Sequence, residues 1–331
     1  MSLYQAYEDS YQGEKAVYLK AGRYEAVMLP ELGGNMIAFR DTENGYRFLR
    51  EPAEGQIEDF KANPGVYGIP VLFPPNRYED GKFPWNGEVL EFPVNETATG
   101  NHLHGFLHTT AWEVEELGTT KQESYVTVKA VIDDQHPVYK YLPFHFTFKL
   151  RYTLSDEGLS QQVYIKNNGS KLMPCLFAFH TAISAPFSEG SKPEDYRVKA
   201  TIGKRWQLNE RMLPTGEYQA LNSFEEQLQS EGVYPFAEAM DNHYTMQSQQ
   251  GRNRMELTDT RLGVTLVYDV GTSYKEWMIW NNNATPGFFC PEPQINLVNA
   301  PNTDLPGEEI GLFGLAEGEV WESVSRIYIK A

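Results

Sequence analysis

Apolar and polar side chains alternate without a break over residues 144–154, in the run FHFTFKLRYTL. Phe, Leu and Tyr occupy the even positions, and His, Thr, Lys and Arg occupy the odd ones. Successive side chains of a strand point to opposite faces, so this period of two predicts a long, half-buried strand. The turn residues 155–158 (SDEG) follow, and residues 159–169 (LSQQVYIKNNG) are then predicted to form the return strand of an antiparallel hairpin.

The same alternation recurs in shorter segments elsewhere in the chain. It predicts strands at residues 125–133, 263–269 and 323–330. Residues 24–41 (YEAVMLPELGGNMIAFRD) predict two more strands around a turn at Gly33 and Gly34.

Helical patterns are few and short. The run SFEEQLQSEG starts with a capping-box pair, Ser223 and Glu226, and ends at Gly232 as a C′ glycine. A second short helix is predicted around Phe60. Gly and Pro occur along the entire chain without a linker-like cluster, and no internal repeat is visible. Many strands, close turns and few helices predict a single all-β sandwich domain.

The charge and the cysteines limit the classes of partner and the compartment. The net charge is −17, which argues against binding to nucleic acid or to anionic membranes. No run of about 18 apolar residues predicts a membrane span, and the N-terminal residues lack the features of a signal peptide. Cys175 and Cys290 lie far apart, which fits neither a disulfide framework nor metal-ligand spacing. A cytoplasmic location is therefore predicted.

Residues 287–302 (GFFCPEPQINLVNAPN) contain a single charged residue, Glu292, between two prolines. Proline fixes φ and has no N–H, so the backbone on both sides of the carboxyl is stiff. An apolar setting should raise the pKa of this carboxyl toward that of a useful base. The alternative is the end of a strand with one exposed acid.

Histidines form a second group of candidates. On a strand, His102 and His104 of NHLHGFLH would share a face, but no later segment supplies further metal ligands, so no metal is predicted. A surface or strand-packing role suits His102 better than a ligand role, and Gly105 after His104 permits close approach of another group. His180 ends the apolar run CLFAF, where it is either an acid–base group or a satisfied core histidine.

Three further polar residues are candidates for holding a ligand. Asn76 and Arg77 follow a Pro-Pro pair, and an arginine fork suits neighbouring oxygens, although a solvent-exposed loop arginine is the alternative. Asp241 could bind hydroxyl groups or cap a turn. Trp277 and Trp280 could stack on a sugar ring or belong to the core.

Five of these segments, in this order, resemble the aldose 1-epimerase (galactose mutarotase-like) family: FPPNRYEDGKF, NHLHGF, FAFHT, MDNHY and CPEPQ. They extend from about Phe73 to Asn302. The resemblance implies one mutarotase-like domain over residues 1–331. Its fold would be a large, twisted antiparallel β-sandwich (a supersandwich) with few short helices and a sugar cleft on one face.

The resemblance also implies roles for individual residues. Family members use a histidine and a glutamate as acid and base, and these match His180 and Glu292. Arg77, His104 and Asp241 match the sugar-binding positions of the family. Asn76, which precedes Arg77, is placed with them as a fourth sugar-binding candidate. The chain departs from the family where TAISAPF follows His180 and where Asn242–His243 follow Asp241, and both departures bear on the choice of sugar.

The implied activity is interconversion of the α and β anomers of a free aldohexose by acid–base ring opening and reclosure. It needs neither a redox cofactor nor a metal. Two alternatives stay open: a hexose-6-phosphate 1-epimerase, which would need extra Lys or Arg at the cleft, and a sugar-binding protein without turnover. The partner is a monosaccharide, and the chain could act as a monomer or a homodimer.

Overall fold

The computed structural model describes residues 3–330, and these residues form mainly antiparallel strands. In chain order the strands are β1 (Tyr4–Tyr11), β2 (Glu14–Ala21), β3 (Tyr24–Leu29), β4 (Asn35–Asp41), β5 (Tyr46–Arg47), β6 (Val71–Leu72), β7 (Arg77–Glu79), β8 (Lys82–Trp85), β9 (Glu88–Glu91), β10 (Asn101–Leu103), β11 (Glu113–Thr119), β12 (Glu123–Ile132), β13 (Phe146–Ser155), β14 (Gly158–Asn167), β15 (Met173–Pro174), β16 (Ala178–Phe179), β17 (Ile183–Ala185), β18 (Tyr196–Ala200), β19 (Ile202–Leu208), β20 (Pro214–Gln219), β21 (Asp241–Met246), β22 (Asn253–Asp259), β23 (Val264–Gly271), β24 (Glu276–Trp280), β25 (Gly287–Gln294), β26 (Gly314–Leu315) and β27 (Val320–Lys330). The helices are α1 (Ile57–Ala62), α2 (Ser223–Ser230) and α3 (Gly307–Ile310), with short 3₁₀ turns at Pro64–Val66, Leu107–Thr109, Pro137–Lys140, Pro193–Asp195 and Ala300–Asn302. Within residues 3–330, no helix is long and apolar enough to cross a membrane.

Two large sheets face each other and enclose the core. One has the order β11-β12-β13-β14-β27-β23-β22-β18, and the other has the order β20-β19-β21-β24-β25-β16-β6, with β17 also paired to β25. Aromatic side chains join the two sheets: Phe148 packs on Phe177 with ring centroids 5.2 Å apart, and Tyr268 packs on Trp277 at 6.4 Å. The third sheet, a meander of β1 to β5, packs its β2 and β3 against β12 and β13. The predicted all-β sandwich is confirmed.

The local predictions are confirmed for the strands and partly wrong for a helix end. Strand β13 alternates buried and half-buried positions along its whole length, and it turns into β14 between Ser155 and Gly158 as predicted. Helix α2 ends as predicted, because Gly232 has φ of 95° and donates its N–H to the Gln227 carbonyl. Its capping box, however, is Asn222 with Glu225, one residue earlier than the predicted pair. Asparagine caps a helix at least as well as serine, and the amide at this position accepts from the Glu225 N–H.

Candidate active site

A cavity of about 260 Å³ lies on the outer face of the sheet that contains β21, β24 and β25. Strand alternation determines which side chains reach it: Trp277 points into the core, whereas Met278 and Trp280 line the cavity. The six residues predicted to act in catalysis or sugar binding also line it: Asn76, Arg77, His104, His180, Asp241 and Glu292. Segments that lie more than 200 residues apart along the chain therefore meet at one place.

The two prolines that flank Glu292 occupy a gap in the strand pairing. Strand β25 pairs with β16 at Gln294 and with β17 at Phe289, but between these points the neighbouring chain leaves it. That chain carries His180, whose own N–H bonds to the Pro70 carbonyl. The N–H of Ile295 points to the side of β16, so by alternation Pro291 and Pro293 present their nitrogens to the gap and remove no ladder hydrogen bond. The opening leaves room for His180 beside Glu292.

His180 and Glu292 are in direct contact. Nε2 of His180 lies 3.2 Å from Oε1 of Glu292, and both side chains are buried. Burial raises the pKa of the Glu292 carboxyl well above its usual range, and the Asp241 carboxylate raises it further, while the Arg77 guanidinium opposes the change. Burial lowers the pKa of the His180 imidazole to about 4, with help from His108 and Arg77. Both shifts favour the uncharged form of each group.

Several buried polar atoms at the cavity have no hydrogen-bond partner among the described residues. They are Oε2 of Glu292, Oδ1 of Asn76, Nδ1 of His104 and Nδ1 of His180. Buried polar atoms are nearly always hydrogen-bonded in folded proteins, so an unpartnered group on a cavity wall marks a place for a ligand or water. The cavity is therefore suited to a small molecule that carries several hydroxyl groups.

The backbone around Asn76 and His104 is strained in a way that positions both side chains. Asn76 has φ of 58° and His104 has φ of 70°, and the His104 N–H donates to the Asn76 carbonyl at 2.8 Å. The next residue, Gly105, is also left-handed, and a Cβ there would lie 2.4 Å from the carbonyl carbon of Phe73. Only glycine fits this close approach. This packing is consistent with the predicted role of Gly105, which was to permit close approach of another group. With this backbone conformation, the His104 ring lies 5.0 Å from the His180 ring.

Arg77 lies between two carboxylates, of which the sequence analysis singled out one. Its Nη2 lies 3.5 Å from Oδ2 of Asp241, and its Nε donates to both oxygens of Glu96 at 3.0 Å. Burial raises the pKa of Asp241, and Glu96 adds to this rise, while Arg77 opposes it. Glu96 gave no sequence signal of its own, because it contacts Arg77 only through the pairing of β7 with β10 and the loop before β10.

His102 does not share the position of His104. Strand β10 ends at Leu103, and the left-handed backbone at His104 breaks the alternation, so the expected common face is wrong. The His102 ring packs 5.0 Å from the rings of both Phe92 and Phe106, and its Nδ1 bonds to the Pro93 carbonyl. His102 thus has a packing role. No group of three or more His, Cys, Asp or Glu side chains in residues 3–330 has an arrangement that could hold a metal ion.

The rest of the cavity wall is mostly apolar or small, with Asn63 as its polar member. The half-buried Trp280 ring lies 6.1 Å from the His180 ring and offers a flat face, whereas Trp277 is a core residue that bonds to Thr201. The other wall residues were not found from sequence: Asn63, Gly65, Val66, Leu103 and Met278. The segment with Asn63 to Val66 follows α1 and carries no sequence pattern that points to a ligand.

Comparison with known proteins gives a consistent result. The profile of the aldose 1-epimerase family matches residues 15–328. A galactose mutarotase-like protein of Clostridium acetobutylicum is 33% identical, and its crystal structure superposes with a TM-score of 0.95 over 99% of this chain and 98% of that chain. The galactose 1-epimerase of Lactobacillus acidophilus NCFM has the same fold, with a TM-score of 0.72 and 14% identity over 99% of this chain and 98% of that one.

A further relative is matched over a shorter length. YihR of Escherichia coli K12 is 26% identical over 147 residues, which span 44% of this chain and 44% of YihR. The predicted galactose mutarotase-like sandwich is confirmed by the structural matches. Because the family profile covers nearly the whole chain and the Clostridium relative is 33% identical along its length, the chain belongs to the aldose 1-epimerase family.

Proposed function

We propose that the protein is an aldose 1-epimerase that interconverts the α and β anomers of a free aldohexose. The observation that carries the proposal is the contact between His180 and Glu292 in a cavity with unpartnered polar atoms. The cavity, at about 260 Å³, lies just below the usual range of about 300–1,000 Å³ for pockets that hold drug-sized ligands. This size supports a single sugar ring.

In the proposed reaction Glu292 is the base and His180 is the acid. The Glu292 carboxylate takes the proton of the anomeric O1 hydroxyl while the His180 imidazolium gives a proton to the ring oxygen O5. The C1–O5 bond breaks as the C1–O1 double bond forms, which gives the open aldehyde. Rotation about C1–C2 presents the other face of C1. On reclosure His180 takes back the proton of the O5 hydroxyl and Glu292 returns its proton to O1, so each residue ends in its starting state. All atoms and protons balance without a redox step.

The proposed cycle needs one transferable proton on the pair of His180 and Glu292, and the pKa shifts of the two groups favour that state. Since burial raises the pKa of Glu292 and lowers the pKa of His180, it favours a resting pair in which one proton lies on Glu292 and His180 is neutral. Transfer of this proton across the 3.2 Å contact gives the carboxylate and the imidazolium. Two interacting groups titrate as a pair, so the active form is the pair with one transferable proton.

The other residues of the cavity bind and orient the sugar in this proposal. Arg77, His104 and Asn76 offer a guanidinium, an imidazole and an amide to hydroxyl groups, and Asp241 offers a carboxylate. The exposed part of the Trp280 ring provides a face for stacking. A glycosidase would use two carboxylates on opposite sides of the scissile bond. The other two carboxylates near the cavity, Asp241 and Glu96, both contact Arg77, whereas Glu292 contacts a histidine.

The charges at the cavity favour a neutral sugar over a phosphorylated one. Arg77 is the one Lys or Arg among the described residues that line the cavity, and it already contacts the carboxylates of Glu96 and Asp241. Two arginines from distant segments that folding could have brought to the cleft bond elsewhere: Arg205 bonds to Glu225 and Asn242, and Arg252 bonds to Asp269. We therefore expect kcat/KM for glucose 6-phosphate to lie about tenfold or more below that for glucose, because a phosphate dianion lacks a counter-charge. Parallel initial-rate measurements on the two sugars check this, and equal or higher values for the phosphate would contradict it.

The activity itself is tested by polarimetry on freshly dissolved α-glucose and α-galactose. We expect the enzyme to accelerate the decay of optical rotation over the rate in buffer for at least one of the sugars, because buffer lacks the paired base and acid. Decay at the buffer rate for a panel of aldoses would reject the proposal. Calorimetric sugar binding without any acceleration would instead favour a binding protein. A cytoplasmic location remains a prediction from the sequence.

A further inference from the structure

Glu96 holds one edge of the Arg77 guanidinium. Its Oε1 lies 3.0 Å from both Nε and Nη2 of Arg77, and its Oε2 also accepts from Nε at 3.0 Å. The Arg77 side chain is 11% exposed. Charge-assisted contacts of this two-oxygen kind are stronger and more directional than single hydrogen bonds. The orientation of Arg77 at the cavity therefore depends on Glu96.

Glu96 is itself fixed by its own loop. Its Oε2 accepts from the Thr99 hydroxyl and, at 3.2 Å, from Nδ2 of Asn101. The loop is tied down by Arg211, whose guanidinium donates to the carbonyls of Thr99 at 2.8 Å and Gly100 at 3.0 Å. The carboxylate is thus held in place before any ligand arrives, which limits the entropy lost on binding.

Asp241 competes with Glu96 for the same guanidinium and holds the weaker position. Its closest contact to Arg77 is a single one of 3.5 Å, against three of 3.0 Å for Glu96. The attraction between Asp241 and Arg77 weakens with their distance, and it weakens further because Glu96 already neutralises the charge of Arg77. The side-chain hydrogen bonds of Arg77 to described residues are made by Nε and Nη2 and leave Nη1 unused. Both Nη1 and the Asp241 carboxylate therefore stay available to a ligand in the cavity.

We infer that Glu96 is a positioning residue: it occupies the Nε edge of Arg77 and so prevents the long 3.5 Å ion pair of Arg77 and Asp241 from tightening into a contact that would exclude the hydroxyl groups of the sugar. This inference rests on the proposed function for the nature of the ligand. Without the charge of Glu96, the 3.5 Å contact between Arg77 and Asp241 should shorten. A sugar would then have to break that pair before it could bind.

The kinetic test replaces Glu96 by glutamine, which keeps the size and one acceptor oxygen but removes the charge. We expect Glu96→Gln to raise KM about tenfold and to change kcat less than about threefold, because the lost interaction concerns binding rather than proton transfer. The matched control is Glu25→Gln. Glu25 bonds to Arg40 at 2.9 Å, and its side chain is 15% exposed against 18% for Glu96, but it lies outside the cavity. KM should stay at the wild-type value in this control.

A double-mutant cycle separates this role from a merely structural one. An Asp241→Asn background removes the carboxylate that Arg77 would close onto in this inference, so adding Glu96→Gln should raise KM less than about twofold. An equal rise of KM in both backgrounds would overturn the inference. If Glu96→Gln does not fold, Thr99→Val removes one donor to Glu96 and should raise KM in the same direction. The same double-mutant cycle can be measured with sugar affinities from calorimetry, which do not require turnover. A wild type that binds sugar without turnover would therefore reject the proposed function but would still allow the role of Glu96 to be tested.

Discussion

Glu292→Gln should lower kcat/KM for the preferred aldohexose by about a thousandfold, the middle of the range for loss of a general acid–base group. The amide keeps the shape of the side chain but can neither take the O1 proton nor carry the proton shared with His180. Oε2 of Glu292 has no hydrogen-bond partner among the described residues and Oε1 contacts His180, so the change removes a buried ionisable group and few contacts. The expected result is therefore a large loss of activity without a loss of thermal stability. Polarimetry and thermal unfolding of the same preparations measure the two effects.

Glu276→Gln is the matched control for this variant. Glu276 lies on the neighbouring strand β24, is equally buried at 1% exposure, and burial raises the pKa of its carboxyl too. It bonds to Nε1 of Trp206 at 3.0 Å and does not line the cavity. Because glutamine keeps an acceptor for Trp206, we expect activity within about threefold of wild type. If both variants lost activity alike, general disturbance of the sheet would explain the result better than a catalytic Glu292.

The fold could be predicted from the sequence to the level of strands and hairpins. The alternation in β13 shows which face is buried, and the turn after Ser155 shows that β14 returns beside it. The pairing of strands that lie far apart in the sequence could not be predicted. Strand β27 inserts between β14 and β23, yet its alternation says only that one face is buried and not which strands lie beside it.

The candidate site was predicted to the extent that its residues stand in unusual local settings. Glu292 between two prolines and His180 at the end of an apolar run could be singled out in this way. Glu96 could not, because it is one of 45 acidic residues and its importance depends on Arg77, which lies 19 residues earlier. Gly65 and Val66 were missed for a different reason: small and apolar side chains in a loop carry no pattern that distinguishes a cavity wall from any other loop.

The buried histidine His243 links the stability of the fold to pH. It is 0% exposed, neither ring nitrogen has a partner among the described residues, and burial, with help from Arg77, lowers its pKa to about 3. In the unfolded chain this pKa is about 6.5. Between these values the unfolded chain binds a proton that the folded chain does not, so stability that is present above pH 6.5 is lost as the pH falls. One such proton is worth about 1.4 kcal/mol per pH unit.

Glu276 has the opposite effect on the same curve. Its pKa in the folded chain is raised well above the ordinary value of 4.5, so the folded chain keeps a proton that the unfolded chain has released. Its contribution to stability is present below pH 4.5 and is lost as the pH rises through the folded pKa. At about pH 5 to 6, where both groups are in their windows, the two contributions to the slope have opposite signs.

We therefore expect His243→Leu and Glu276→Gln to change the pH dependence of the free energy of unfolding in opposite directions. His243→Leu removes the proton uptake on unfolding and should flatten the rise of stability with pH by up to about 1.4 kcal/mol per pH unit. Glu276→Gln removes the proton release and should steepen it. Urea titrations at about pH 5, 5.5 and 6 measure both slopes. Curves parallel to wild type for both variants would mean that the two groups titrate alike in the folded and unfolded chains, so their burial would have to be less complete than the structure shows.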